Sequence, residues 1–335
     1  MVSLRSVSIC SFLVLGGACA QSRPQLRPAS PGREVLLRLL DGRCRVTIGG
    51  KLFCEYIWKD GHVPYVFPVV GPGGHGLTRH FPITKAAPGE TKDHRHHRSL
   101  WFAHGDVRGH DFWTGRQARI VQDRASTTQD GVRGALTTFN RWVVRQQDST
   151  HGGGSREVTL LRDVRTISFW ADRTGRYMDW RIELQATDGD VVFGDTKEGT
   201  LAIRVAPSLR TEGSPKAAGM IRNSEGVVGK KAWGKRARWV DYSGPIEGSV
   251  VGIALFDHPG NHGYPCRWHA RAYGLLAANP WGVHQFEGAP PGTGAMKLAK
   301  GEVLRLRYRF FFHEGSPGDA GVEAAWRRFA AEQGR

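Results

Sequence analysis

Two stretches of alternation restrict this chain more than any other feature. Met178-Asp-Trp180-Arg-Ile182-Glu-Leu184 and Leu304-Arg-Leu306-Arg-Tyr308-Arg-Phe310-Phe-Phe312 place an apolar side chain at every second position, with charges between them except at Phe311. Successive side chains of an extended strand leave on opposite faces, whereas a helix would scatter the same residues around its circumference. Each run therefore predicts a half-buried β-strand. Shorter runs bounded by Gly, Pro, Asp and Asn predict further strands at 135–145, 157–161, 165–171, 201–207, 250–256 and 274–278. Many half-buried strands with few helices make the fold class all-β, a large antiparallel β-sandwich. Helix is expected only at the end, where Asp319 would cap a run with Val322, Ala325, Trp326 and Phe329 on one stripe.

A chain of 335 residues can bury a large core. No repeat divides it, and Gly152-Gly-Gly-Ser155 is too short to act as a linker. The expected organisation is a signal peptide at 1–20, a polar Pro-rich lead at 21–33 and a single sandwich domain over 34–335. The signal rests on Arg5, the apolar run Val7 to Leu15 and the small-x-small site Ala18-Cys19-Ala20. The protein is thus expected to be exported, periplasmic or extracellular, with a lipid anchor on Cys19 as the second choice. No later stretch reaches the roughly 20 apolar residues of a membrane helix, so no membrane span is expected. Cleavage leaves Cys44, Cys54 and Cys266. A hairpin around Gly49-Gly50 pairs position 45 with 54, which puts Cys44 and Cys54 on opposite faces and leaves them unbridged; a bulge would change that parity.

The 47 Lys and Arg exceed the 31 Asp and Glu, for a formal charge of +16. The excess is spread along the chain, densest from Lys230 to Trp239, and no nucleic-acid-binding motif accompanies it. The expected partner is a carbohydrate or other small molecule, anionic where it meets this charge, and not a nucleic acid.

Four segments concentrate reactive side chains. The densest runs from Lys92 to Asp106 and holds His94, His96, His97, Arg98 and His104, followed by Asp111 and Trp113. If extended, it puts His94 and His96 on one face and His97 on the other. His94 and His96 could then share a divalent metal ion, or an imidazole could serve as general acid or base. The second segment carries Asp257, His258, Trp268, His269, Arg271 and Asn279; such rings and bidentate groups suit a sugar. The third, Gly194 to Gly199, offers Asp195, Lys197 and Glu198 just before the strand bearing Arg204. The fourth contributes Asp241 in a turn at a strand end.

Taken in order, these segments resemble the PmoA-type family, often automatically labelled methane oxygenase. The residues carrying the resemblance include Gly71-Pro-Gly-Gly, Thr78-Arg79, Asp93-His94, His96 to Val107, Asp111-Phe112-Trp113, Gly194 to Gly199, Gly234 to Trp239 with Asp241 to Gly244, Phe256 to Pro259, Trp268 to Arg271 and Asn279-Pro280. The oxygenase label does not suit a chain without membrane helices. The expected architecture is similar to the galactose-mutarotase-like supersandwich, with the histidine loops forming a pocket at one end.

The expected function is extracytoplasmic carbohydrate processing: cleavage, elimination or epimerisation of a glycoside or oxidised sugar. His96, His97 or His104 would be the acid or base, with Asp195 or Glu198 as counterpart. Arg98, Arg204 and Arg271 would hold hydroxyls or a carboxylate, and Trp113 and Trp268 would stack on the ring. Asp111, Lys197, Asp241, Asp257, His258, His269 and Asn279 complete the expected substrate contacts. A divalent-metal enzyme using His94 and His96, and a non-catalytic glycan-binding protein, are the alternatives.

Overall fold

The computed structural model describes residues 32–147 and 154–332. The expected signal peptide and nearly all of the lead lie outside the described residues. In chain order the strands are β1 (Val35–Leu40), β2 (Arg43–Ile48), β3 (Lys51–Ile57), β4 (Tyr65–Val69), β5 (Leu100–His104), β6 (Ala118–Gln129), β7 (Gly134–Gln147), β8 (Ser155–Ala171) and β9 (Gly175–Ala186). They continue as β10 (Val191–Phe193), β11 (Gly199–Arg204), β12 (Met220–Asn223), β13 (Trp239–Ile246), β14 (Ser249–Asp257), β15 (Arg267–Trp268), β16 (Leu275–Asn279), β17 (Met296–Leu298) and β18 (Val303–Glu314). Two short helices follow the same order, α1 (Val283–Glu287) and α2 (Val322–Ala330).

Two eight-stranded antiparallel sheets form the sandwich that the alternation predicts. One runs β1-β2-β3-β4-β5-β11-β16-β15 and the other β12-β13-β14-β18-β9-β8-β7-β6, with β10 and β17 as a separate pair. Aromatic rings knit the two together: Phe53 of β3 meets Phe169 of β8 at 6.1 Å and Phe312 of β18 at 5.6 Å, and Phe102 of β5 meets Trp142 of β7 at 6.0 Å. The runs at 157–161 and 165–171 are one continuous strand, β8. Beneath α2, the outer face of the second sheet carries a smaller core in which Tyr177 stacks between Trp170 at 5.0 Å and Phe311 at 4.7 Å, with Val322, Ala325 and Phe329 closing it. This explains why Phe311 breaks the charge pattern of β18. Asp319 does not cap α2: Gly321 occupies the cap with φ 69°, and the Asp319 carboxylate instead accepts hydrogen bonds from Ser316.

The cysteine geometry differs from the expectation. A bulge between Val46 and Thr47 shifts the hairpin so that Cys54 opposes Val46, which puts Cys44 and Cys54 on the same face. They are nevertheless both free and buried, as is Cys266. Burial pushes the Cys44 thiol up to about 12 and Cys54 well above its ordinary value.

One strand decides where reactive side chains gather. All five residues of β5 are buried, because both of its faces are covered. Phe102 points into the sandwich, so Trp101 points to the outer face of the first sheet. There Trp101 pairs in register with Ala202, and Ala202 with Ala277. Two small neighbours leave room above the sheet, and Arg204, two residues along β11 from Ala202, shares this face. The histidine loop lies over this face and not at an end of the sandwich.

Candidate active site

The segment 93–99 is a turn, not an extended strand. His94 and Ser99 have φ of 44° and 57°, and the His97 N–H donates to the His94 carbonyl at 2.9 Å. Non-glycine residues take this left-handed conformation at a cost, and such positions cluster at functional sites. The turn brings His94 over His97, with rings stacked at 4.7 Å and 10°. Tyr273 stacks on the other side of His94 at 5.2 Å, and Trp101 on the other side of His97 at 5.2 Å. A column of four rings therefore runs outward from Trp101 of β5 through His97 and the partly exposed His94 to Tyr273.

A buried charge network holds this turn. The Arg79 guanidinium, 2% exposed, donates to the Asp93 carboxylate at 2.7 Å and to the carbonyls of Asp93, His94 and His97. Arg204, fully buried, donates to both Asp93 oxygens at 3.1 Å and to His97 Nδ1 at 3.0 Å. Since a guanidinium only donates, His97 Nδ1 accepts and its proton sits on Nε2. Burial, then the neighbouring His96 and Arg204 charges, hold His97 well below its ordinary value, so it is neutral. Asp93 behaves in the opposite way. Its partial burial favours the neutral acid, but hydrogen bonds from Thr91 and His94 and the adjacent Arg204 outweigh that and keep it ionised.

Asp93 in turn orients His94. Its Oδ2 lies 2.6 Å from His94 Nδ1, and a carboxylate can only accept, so Nδ1 carries the proton. Nε2 makes no hydrogen bond within the described residues, and the His94 side chain is 40% exposed. A carboxylate-oriented imidazole with a free second nitrogen is the arrangement of a general acid or base.

The third and second segments reach the same place from the other side. His269, 2% exposed, donates from Nδ1 to the Lys197 carbonyl at 3.0 Å, and its buried Nε2 has no partner. Burial, then the charges of Arg271 and Lys197, push His269 down to about 3. Lys197 Nζ and Glu198 are 3.1 Å apart and both half-buried. Arg271 lies over the Trp233 and Tyr273 rings, 5.5 and 5.7 Å from their centroids. Burial raises the Tyr273 phenol, against the pull of Arg204 and Arg271, and the nearby Glu198 carboxylate adds to the rise.

Several expected site residues stand elsewhere or have other work. His104 is fully buried beside Trp281 and donates to the Gly194 carbonyl at 2.9 Å, with burial pushing it down to about 4. Trp268 is in the core, its indole donating to Ala237 at 2.8 Å, and Trp113 is packed under His97; neither face is free for a sugar. Asp195 accepts the backbone N–H groups of His284 and Gly294, and Asn279 holds the Thr196 carbonyl, so both fasten loops. Asp111 holds the turn at Trp113 and Thr114. Asp257, pushed up to about 7 by burial, anchors Asn261 and Cys266, and His258 bonds Arg307 beside the carbonyl of Glu332. Asp241 pairs with His313 at 2.7 Å, both side chains fully buried. Arg98 pairs with Asp60 over the Tyr65 ring.

His94 and His96 do not form the expected two-histidine ligand set. Their rings are 5.7 Å apart at 72°, and Asp93 occupies His94 Nδ1. Among the described residues, no three His, Cys, Asp or Glu side chains are grouped as a metal would require. His96 is pushed down to about 4 by burial, then by His94 and His62. Sequence reasoning missed Asp93, Arg79 and Tyr273 as site residues. The signal for the first was Asp93 standing immediately before His94.

A family model described as a family of unknown function, DUF6807, matches residues 43–327. No PmoA-type family matches, and that resemblance is corrected accordingly. No curated protein matches. Among solved structures, the chain is similar to the galactosidase domain of an alpha-galactosidase-sucrose kinase, AgaSK, at 8% identity and TM-score 0.40, covering 86% of this chain and 42% of that one. This chain thus spans less than half of that one. It is also similar to galactose 1-epimerase from Lactobacillus acidophilus NCFM (9% identity, TM-score 0.34, covering 84% and 98%). A third likeness is to a galactose mutarotase-like protein from Lactobacillus casei ATCC 334 (10%, 0.34, covering 83% and 100%). No described helix is long and apolar enough to cross a membrane.

Proposed function

The chain belongs to DUF6807, a family of unknown function, and we propose that it is an extracytoplasmic carbohydrate-processing enzyme whose proton-transfer group is His94. The observation that carries this reading is the Asp93–His94 pair: an ionised carboxylate, locked by two buried arginines, fixes one ring nitrogen at 2.6 Å and leaves the other free. In a cleavage, elimination or epimerisation, Nε2 would take a proton from a sugar hydroxyl or carbon, or return one to a leaving oxygen. Asp93 would stabilise the imidazolium formed, while His97 and Tyr273 keep the ring in plane. Glu198, paired with Lys197 and acting on the Tyr273 phenol, would be the counterpart carboxylate. Arg271 and Lys197 favour hydroxyls or an acidic group. His97, neutral and tied to Arg204, is a positioning residue.

The test is turnover of a panel of neutral and uronic glycosides, with products resolved by NMR, for the wild type, His94→Gln and Asp93→Asn. We expect the His94 variant to lose about 10²- to 10⁴-fold in kcat, the usual contribution of a general acid or base. Undiminished turnover in His94→Gln would overturn the assignment. Saturable sugar binding with no turnover by the wild type would make the protein a glycan binder instead.

A further inference from the structure

A cavity outside the histidine turn opens beside His62 and the edge strands β6 to β8. It holds about 330 Å³ and is lined by His62, Arg116, Gln117, Arg119, Arg145 and Glu157. That volume is at the lower end of the roughly 300–1,000 Å³ of ligand pockets. A second hollow of about 260 Å³ lies on the other side of Arg116 and includes His110 and Asp111. The charge balance of the cleft is uneven. Glu157 is engaged twice, by Arg119 at 2.5 Å and Arg141 at 3.1 Å. Arg116 and Arg145 have no carboxylate partner among the described residues, and both are exposed.

His62 joins this cleft to the histidine turn. Its Nε2 bonds the Trp113 carbonyl at 3.1 Å, and the Trp113 ring lies 5.9 Å from His97. Gly115 makes that junction possible, since a Cβ there would come within 2.4 Å of the His62 ring. We propose that the cleft between His62 and Arg145 is an additional subsite that holds an acidic sugar unit of a glycan whose neighbouring unit is presented to His94. The inference rests on the carbohydrate reading above and deepens it by naming the substrate class, an oligosaccharide bearing carboxylate or sulfate groups. Two guanidinium groups without a carboxylate partner among the described residues suit such an anion, since each can bind it bidentately.

The experiment is calorimetric titration of the mature chain with tetragalacturonate, with neutral maltotetraose and with a short DNA duplex. It is repeated for Arg116→Gln/Arg145→Gln and for His94→Gln. Both cleft residues are exposed, so the double variant should melt as the wild type does. Expected is binding of tetragalacturonate that weakens at least about tenfold in the double variant and on raising salt from about 50 to about 300 mM, while His94→Gln keeps it. No binding, equal binding of maltotetraose, unchanged affinity in the double variant or equal binding of DNA each overturns the proposal. None of these touches the role of His94, which is decided by turnover. Conversely, full activity of His94→Gln with cleft binding intact would remove only the acid-base reading.

Discussion

Replacing Asp93 by Asn removes the one carboxylate that two buried guanidinium groups share. The two arginines would not suffer equally. Arg79 keeps its carbonyl acceptors at Asp93, His94 and His97, whereas Arg204 keeps only His97 Nδ1. Each already resists its charge, with burial pushing Arg79 down to about 10 and Arg204 also down. Removing one partner of a buried ion pair costs about 3–5 kcal/mol. Asp93 is itself 35% exposed, so water reaches the gap, and about 2–4 kcal/mol is the expected loss. Urea unfolding read by far-ultraviolet dichroism would show it as a lower midpoint at unchanged slope. Adding Arg204→Met should recover about 1–3 kcal/mol of the summed single losses, because the stranded charge is then absent. A loss below about 0.5 kcal/mol in Asp93→Asn, or strict additivity with Arg204→Met, would refute the view that Asp93 neutralises the floor of the site.

Acid should destabilise the protein well above carboxylate titration. His104 and His269 are buried and held at about 4 and about 3 against an ordinary value near 6.5, so the unfolded chain takes up their protons first as pH falls. Their contribution is complete above about pH 6.5 and falls by about 2 kcal/mol per imidazole at pH 5; a urea midpoint that is flat from pH 7 to 5 would contradict this. Trp268→Ala is expected to cost about 3–5 kcal/mol of stability, as for other buried tryptophans, and loss of ligand affinity at unchanged melting temperature would show that the ring is a sugar contact after all. Asp163→Ala should also cost about 3–5 kcal/mol, because Arg165, Asn140 and Trp142 all donate to a carboxylate with no exposure inside the sandwich. Calorimetry would check it, and a shift of only one or two degrees would count against it.

What could be read from the sequence was whatever repeats with a local period. The alternation of β9 and β18 predicts their faces, and the stripe of α2 predicts its packing. Strands covered on both sides carry no such pattern, so β5 was hidden inside the histidine segment although it supports the whole site. The cysteine parity failed for a related reason: a single extra residue on β3, Phe53 opposite the Val46/Thr47 step, reverses the faces, and no composition rule marks it. At the site, residue type pointed to three segments that the fold brings together: His94 stacks on Tyr273, Glu198 acts on the Tyr273 phenol, and His269 donates to the Lys197 carbonyl. Assignment within them required the turn. An extended chain would separate His94 from His97; the left-handed backbone at His94 stacks them and hands the exposed role to His94. Burial, which pattern alone does not give, withdrew His104, Trp268 and Asp257 from contact with any ligand.

Arg79 has a consequence for binding thermodynamics. By gathering the carbonyls of the histidine turn on one guanidinium, it completes the ordering of that turn when the chain folds. A ligand arriving at His94 therefore meets a surface whose conformational entropy is already lost, and affinity is not reduced by the cost of arranging a loop. The heat-capacity change of binding should then reflect only the area buried between ligand and protein, with no component from loop folding. In this respect the turn behaves as part of the sheet beneath it.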